Sequence, residues 1–166
     1  MICLMGLAIT SCDKDNTDTE TTETGTTPAG YVDLGLPSGT KWKATNEANP
    51  NDENNFYTYD EAIEKFGSTL PTKVQWEELK TGCQWSWTGS GYKVTGNNGE
   101  SLFLPAAGFR YGNGSVFPGG FSGRYWSSTP SDSEQAYYLN FRETEELAIA
   151  KISRFFGLSV RLVYNP

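Results

Sequence analysis

One glycine-rich stretch, Phe109–Tyr125, mixes rings with hydrogen-bonding groups: Arg110, Tyr111, Asn113, Phe117, Phe121 and Arg124. Calcium-free carbohydrate recognition needs an exposed ring beside polar donors, and a long glycine-rich loop can present such side chains without packing them. These six are the candidate ligand-binding residues. The opposing reading has Phe117 and Phe121 plugging the loop onto the core while the glycines serve turns. Trp85 and Trp87 could also form a platform, but they share a face with Cys83, which points them toward the core. Trp42, Trp76 and Trp126 sit inside regular patterns and read as packing residues.

Little else in the chain points to chemistry. There is no His, so the commonest general base and the commonest transition-metal ligand are missing. No Ser or Cys stands in a nucleophile constellation. Glu143, Glu145 and Glu146 fall between two strand-like runs and read as a charged hairpin end rather than a hydrolytic pair. Asn49–Asn55 offers oxygens of the kind hard cations favour, but without the spacing of a known cation loop, and Asn and Asp are ordinary turn residues. The expectation is a non-enzymatic protein with no catalytic residue, no metal and no cofactor. A net charge of −7 and a pI near 4.6 exclude nucleic acid, which requires a basic face.

The elements that must hold these residues can be read in part. Hydrophobic residues make up 37% of the 166 and aromatics 14%, with 18 Gly and 8 Pro, so the core is built from rings and the chain turns often. That composition argues for short strands and many turns and against a helical bundle, and with the two helices legible in the chain the class expected is α+β. Thr58-Tyr-Asp-Glu61 is a capping-box pattern that opens a helix with Tyr59, Ala62, Ile63 and Phe66 on one face, and Gly67 can end it. Thr72-Lys-Val-Gln75 opens a second helix behind Pro71, with Trp76 and Leu79 inward and Gly82 at its end. Cys83, Trp85 and Trp87 alternate with Gln84 and Ser86, as in a strand. Gly91–Thr95 and Ser101–Leu104 flank a Gly96-Asn-Asn-Gly99 turn. Gln135–Phe141, Leu147–Ser153 and Phe156–Tyr164 are further strand candidates, and Gly108–Gly123 reads as a long loop. No internal repeat or second domain boundary is visible.

The first thirty residues differ in character. Residues 1–11 are apolar but too short to span a bilayer, which takes about 18 or more apolar residues, and they read as a signal peptide. Ile9-Thr10-Ser11-Cys12 resembles a bacterial lipobox, which makes Cys12 the expected site of lipidation. Residues 12–29 then form a Thr-rich acidic tether with no aliphatic larger than Ala, too polar to offset its own ordering entropy. Extended, the stretch after Cys12 reaches roughly 56 Å from its anchor. Asp13, Lys14 and Asp15 resemble a surface-export signal of Bacteroidetes-type lipoproteins, although the same charges could serve solvation alone. The globular part, residues 30–166, retains one cysteine, Cys83, which is expected to be a buried free thiol.

Five segments in order carry a resemblance: YVDLGLPSGTKW (Tyr31–Trp42), LPTKVQWEEL (Leu70–Leu79), GYKVTGNNGESLFLPAAGFR (Gly91–Arg110), YWSSTP (Tyr125–Pro130) and FGLSVRLV (Phe156–Val163). Together they resemble the Fibrobacter succinogenes major paralogous domain family across essentially all of residues 30–166. That family is similar to the C-type-lectin-like group. The resemblance implies two short helices on small, twisted, mainly antiparallel sheets with long Gly-rich loops and adjacent N- and C-terminal strands. It also implies an outer-membrane lipoprotein of a Gram-negative cell envelope, surface-exposed and held to the membrane by its lipid. Two features depart from the family: no Cys follows Lys41-Trp42, and Glu47–Asn55 replaces an aromatic insert. The calcium-dependent sugar triplets of the lectin group are missing. The copper-dependent oxidases of that group need two cysteines, which this domain lacks. The function expected is therefore recognition of a glycan without calcium; the alternative is a structural or adhesive component of a surface protein assembly.

Overall fold

The computed structural model describes residues 26–166. The expected signal peptide, Cys12 as the expected lipidation site and most of the expected tether lie outside the described residues. From Tyr31 the chain forms β1 (Tyr31–Asp33) and β2 (Lys41–Lys43), then α1 (Tyr59–Phe66) and α2 (Lys73–Gly82). Next come β3 (Gln84–Trp87), β4 (Gly91–Thr95), β5 (Ser101–Pro105), and the short β6 (Phe109–Arg110) and β7 (Val116–Phe117). The long strands follow as β8 (Ser122–Pro130), β9 (Gln135–Arg142) and β10 (Glu145–Ser153), before a final β11 (Val163–Tyr164). The class is α+β: two short helices with several small antiparallel sheets. Among the described residues no helix is long and apolar enough to cross a membrane.

Both helix starts are set by the expected side chains. Thr58 accepts from the Glu61 amide while the Glu61 carboxylate accepts from the Thr58 amide, and Thr72 and Gln75 do the same for α2. Each reciprocal pair satisfies amides that the first helical turn leaves without partners. Gly67 closes α1 at φ 49°, a conformation that costs glycine little. The inward faces carry Tyr59 and Ala62 from α1 and Trp76 and Leu79 from α2.

The sheets run β1-β2-β11, β10-β9-β8 and β3-β4-β5, with β6 and β7 forming a separate two-stranded hairpin. β11 pairs with β2 and so places the C-terminal strand in the same sheet as β1, on the other side of β2. Two ring-rich clusters fill the interior. Trp42, Trp76, Tyr125 and Phe141 form a chain of contacts in one, with ring centroids 4.6, 5.9 and 5.9 Å apart. Trp126 centres the other, donating its indole N–H to Tyr57 O at 2.7 Å, while the Trp76 indole donates to Trp126 O at 3.2 Å. Large rings compensate for scarce aliphatics; the indoles of Trp76 and Trp126 are bonded, whereas Trp42 Nε1 is buried without a partner among the described residues. The alternation at β3 also holds: Trp85 and Trp87 are half-buried against the core, and Cys83 packs with them.

Two segments depart from expectation. Phe156–Tyr164 reads as one strand, yet only Val163–Tyr164 joins a sheet. The rest threads between elements: Gly157 exchanges bonds with Arg110, Leu158 with Tyr57, and Ser159 with Arg124 and Trp126. Its apolar pattern reflects burial on every side rather than membership of one ladder. Gly108–Gly123, expected as loop, holds the β6–β7 hairpin and the first residues of β8. Gly123 is required there, because a side-chain carbon would collide with the ring of Phe141.

Candidate functional site

The β6–β7 hairpin is assembled around Phe109, which is buried. Phe117 stacks on it at 5.1 Å and Phe156 lies at 6.4 Å. The Arg124 guanidinium sits 3.5 Å from the Phe109 ring centre. A cation held over ring faces is attracted by their quadrupole, and burial lowers the Arg124 pKa from its ordinary value. Arg110 turns instead to Asp52, with Nε 3.1 Å from a carboxylate oxygen, and its backbone is bonded to Gly157. The tip is a tight turn in which Asn113 Oδ1 accepts from both the amide and the hydroxyl of Ser115.

The six candidate residues therefore divide. Phe117 and Arg124 are packed into the hairpin's own support, Arg110 is ion-paired, and the Asn113 oxygen is used by the turn. Tyr111 and Phe121 are exposed, at 39% and 66%. The plug reading holds for Phe117 and fails for Phe121. Tyr111 meets Phe109 at 5.0 Å and Phe156 at 5.8 Å, so it is a supported ring with a free side.

A ring that sequence reasoning missed completes this surface. Phe155, 73% exposed, lies against Gly112 at the hairpin tip, where a side-chain carbon would stand 3.4 Å from its Cβ. Behind it opens a cavity of about 370 Å³ lined by Asp60, Ser133, Glu134, Gln135, Ser153, Arg154 and Phe155. Ligand-binding clefts begin near this size, at roughly 300 Å³. Asp60 comes from the first turn of α1, Ser133–Gln135 from the turn entering β9, and Ser153–Phe155 from the turn leaving β10. Arg154 is positioned by donating Nη2–H to Asp132 O at 2.5 Å and by lying 4.8 Å over Tyr59. The Asp132 carboxylate accepts the amides of Glu134 and Gln135, which fixes the turn and holds its pKa below the usual value. Nothing local in the sequence signals the cavity; only the isolated Arg154-Phe155 pair at a strand end hints at it.

The oxygens of Asn49–Asn55 are largely occupied. Asn49 Oδ1 accepts from the Asn51 amide, Asp52 Oδ1 from Asn54 and Asn55 Oδ1 from Asn49, while the second Asp52 oxygen faces Arg110. Glu143 stands at the β9–β10 turn, and Glu145 pairs with Arg142 at 2.9 Å. Cys83 is half-buried rather than fully buried, and desolvation, reinforced by Glu78, pushes its pKa up to about 11. At neutral pH it is a thiol, not a nucleophile.

No protein-family model matches this chain, and searches of curated proteins and of solved structures return no match either.

Proposed function

We propose that this chain is a non-enzymatic lipoprotein of the cell envelope whose C-type-lectin-like domain, of the Fibrobacter succinogenes major paralogous type, binds glycan without calcium. The observation that carries the recognition reading is that two exposed rings, Tyr111 and the Phe155 that lies against neighbouring Gly112, stand beside a cavity of mixed polar and apolar lining that Phe155 itself lines. Pyranose faces are apolar and their hydroxyls are both donors and acceptors. A ring platform beside Asp60, Ser133, Gln135 and Ser153 offers both kinds of contact. Lectin-like classification rests on the five ordered motifs and is compatible with two helices on small antiparallel sheets.

Binding is tested by applying the full chain, in detergent, to an array of bacterial and host glycans. Retention should be specific, and Tyr111→Ala and Phe155→Ala should each weaken it; an array on which nothing is retained would discard the glycan reading. The anchor rests on sequence alone. Mass spectrometry of the protein from cells should show a diacyl or triacyl mass on Cys12, and an intact Met1 terminus would refute it.

A specific feature favours the second reading, a structural or adhesive component of a surface assembly. β10 spans nine residues at the edge of its sheet. A long unpaired edge is a template for strand addition by another chain. Capture of a defined surface protein that Lys151→Pro abolishes, with no glycan bound, would select it.

A further inference from the structure

We propose that the cavity beside Phe155 takes an amine-bearing sugar unit, a hexosamine with a free ammonium group, in preference to its N-acetylated or acidic counterparts. This rests on the glycan reading above and narrows it. Two carboxylates line the cavity, Asp60 and Glu134, against one cation, Arg154. Most of the Arg154 guanidinium is committed: one Nη donates to Asp132 O, the plane covers Tyr59, and the other Nη stands 3.8 Å from Asp60, which leaves only Nε without a partner among the described residues. Glu134 has no ion-pair or hydrogen-bond partner on its carboxylate among the described residues, and Asp60 has only the long contact to Arg154. The cavity thus presents unfilled acceptor oxygens and a net negative lining. Phe155 adds a π-face at the same wall, and ammonium groups are drawn to both. A uronate or sialate carboxylate would meet Asp60 and Glu134 as like charges, which disfavours it.

The test is isothermal titration of the full chain with a β-1,4-linked glucosamine hexamer and with its fully N-acetylated counterpart. Exposed ion pairs are individually weak, so the free-amine hexamer should bind about five-fold tighter at low salt, and the preference should shrink as salt screens it. Asp60→Asn with Glu134→Gln should erase the preference without abolishing binding, whereas Phe155→Ala should weaken both ligands. Thermal melts of each variant would identify any that fail to fold; Glu134→Gln alone, on an exposed turn, then serves as the readout. Equal or tighter binding of the N-acetylated hexamer would overturn the proposal while leaving glycan recognition standing. A preference that survives the double variant would overturn it too. Binding of neither hexamer, nor of any arrayed glycan, would remove the broader reading as well.

Discussion

Arg161 is a guanidinium with no solvent exposure, and among the described residues no carboxylate pairs with it at close range. Its Nη1 donates to Lys43 O and its Nη2 to Phe103 O, both at 2.8 Å, so one side chain ties β2 to β5 across two sheets. Desolvation lowers its pKa from the usual value, partly offset by Tyr125 and Glu47. Arg161→Met keeps most of the length and removes both donors. Two part-buried carbonyls then lose their partners at about 1–3 kcal/mol each, while relief of the desolvated cation returns part of that. The net loss should be about 2–4 kcal/mol, which for a domain of this size lowers the melting midpoint by roughly 6–12 °C. Arg161→Lys, which keeps the charge but not the fork, should fall between. Urea unfolding at constant m-value would measure the difference. A midpoint for Arg161→Met equal to or above the parent's would refute the reasoning, because desolvation would then outweigh both hydrogen bonds.

Gly123→Ala forces a methyl group into the Phe141 ring and should destabilise by about 1–3 kcal/mol in urea unfolding; a neutral result would mean that the ring moves freely. With its pKa near 11, Cys83 should react with a thiol reagent at pH 8 about 100-fold more slowly in the folded protein than in the urea-unfolded chain, and comparable rates would contradict its half-buried setting. Cys83 and Tyr125, the latter raised to about 12 by burial, both hold their protons longer when folded. Stability from both is therefore complete below the unfolded pKa values, about 8.5 and 10, and is lost as pH climbs through the folded ones; melting temperatures across that range should fall. Asp33 acts in the opposite direction. Its pKa is lowered by the Lys41 hydrogen bond and the Gly35 amide, so its contribution is present above about pH 4 and disappears as acid protonates the folded form, an effect Asp33→Asn should remove from an acid titration.

The parts of the fold that are legible in the chain are those governed by near neighbours. Thr58 with Glu61 and Thr72 with Gln75 start helices through bonds three residues long. The Gly96–Gly99 turn sets β4 against β5, and the alternation at Trp85 and Trp87 marks an inward face. Phe156–Val163 shows the limit of such reading. Its apolar character is plain, but burial among β2, β5, β6, β8 and the segment before α1 looks the same in sequence as membership of one sheet. The candidate site divides in the same way. Tyr111 was visible as a ring in a glycine-rich stretch. Whether Phe117 or Phe121 faced solvent was not, since that depended on Phe109 offering one of them a stacking partner.

The sequence alone determined the composition of the core, the helix starts, the acidic balance of the chain, and the apolar and then polar composition of its first thirty residues. These depend on side-chain chemistry and on contacts within a few residues. Only the tertiary structure decided that Asp60, Glu134 and Arg154 share one cavity with Phe155 as its exposed wall, and that Arg161 lies buried between two sheets. Such groupings join residues that are far apart along the chain. Their proximity follows from how sheets and helices pack, which no local pattern of residue types records.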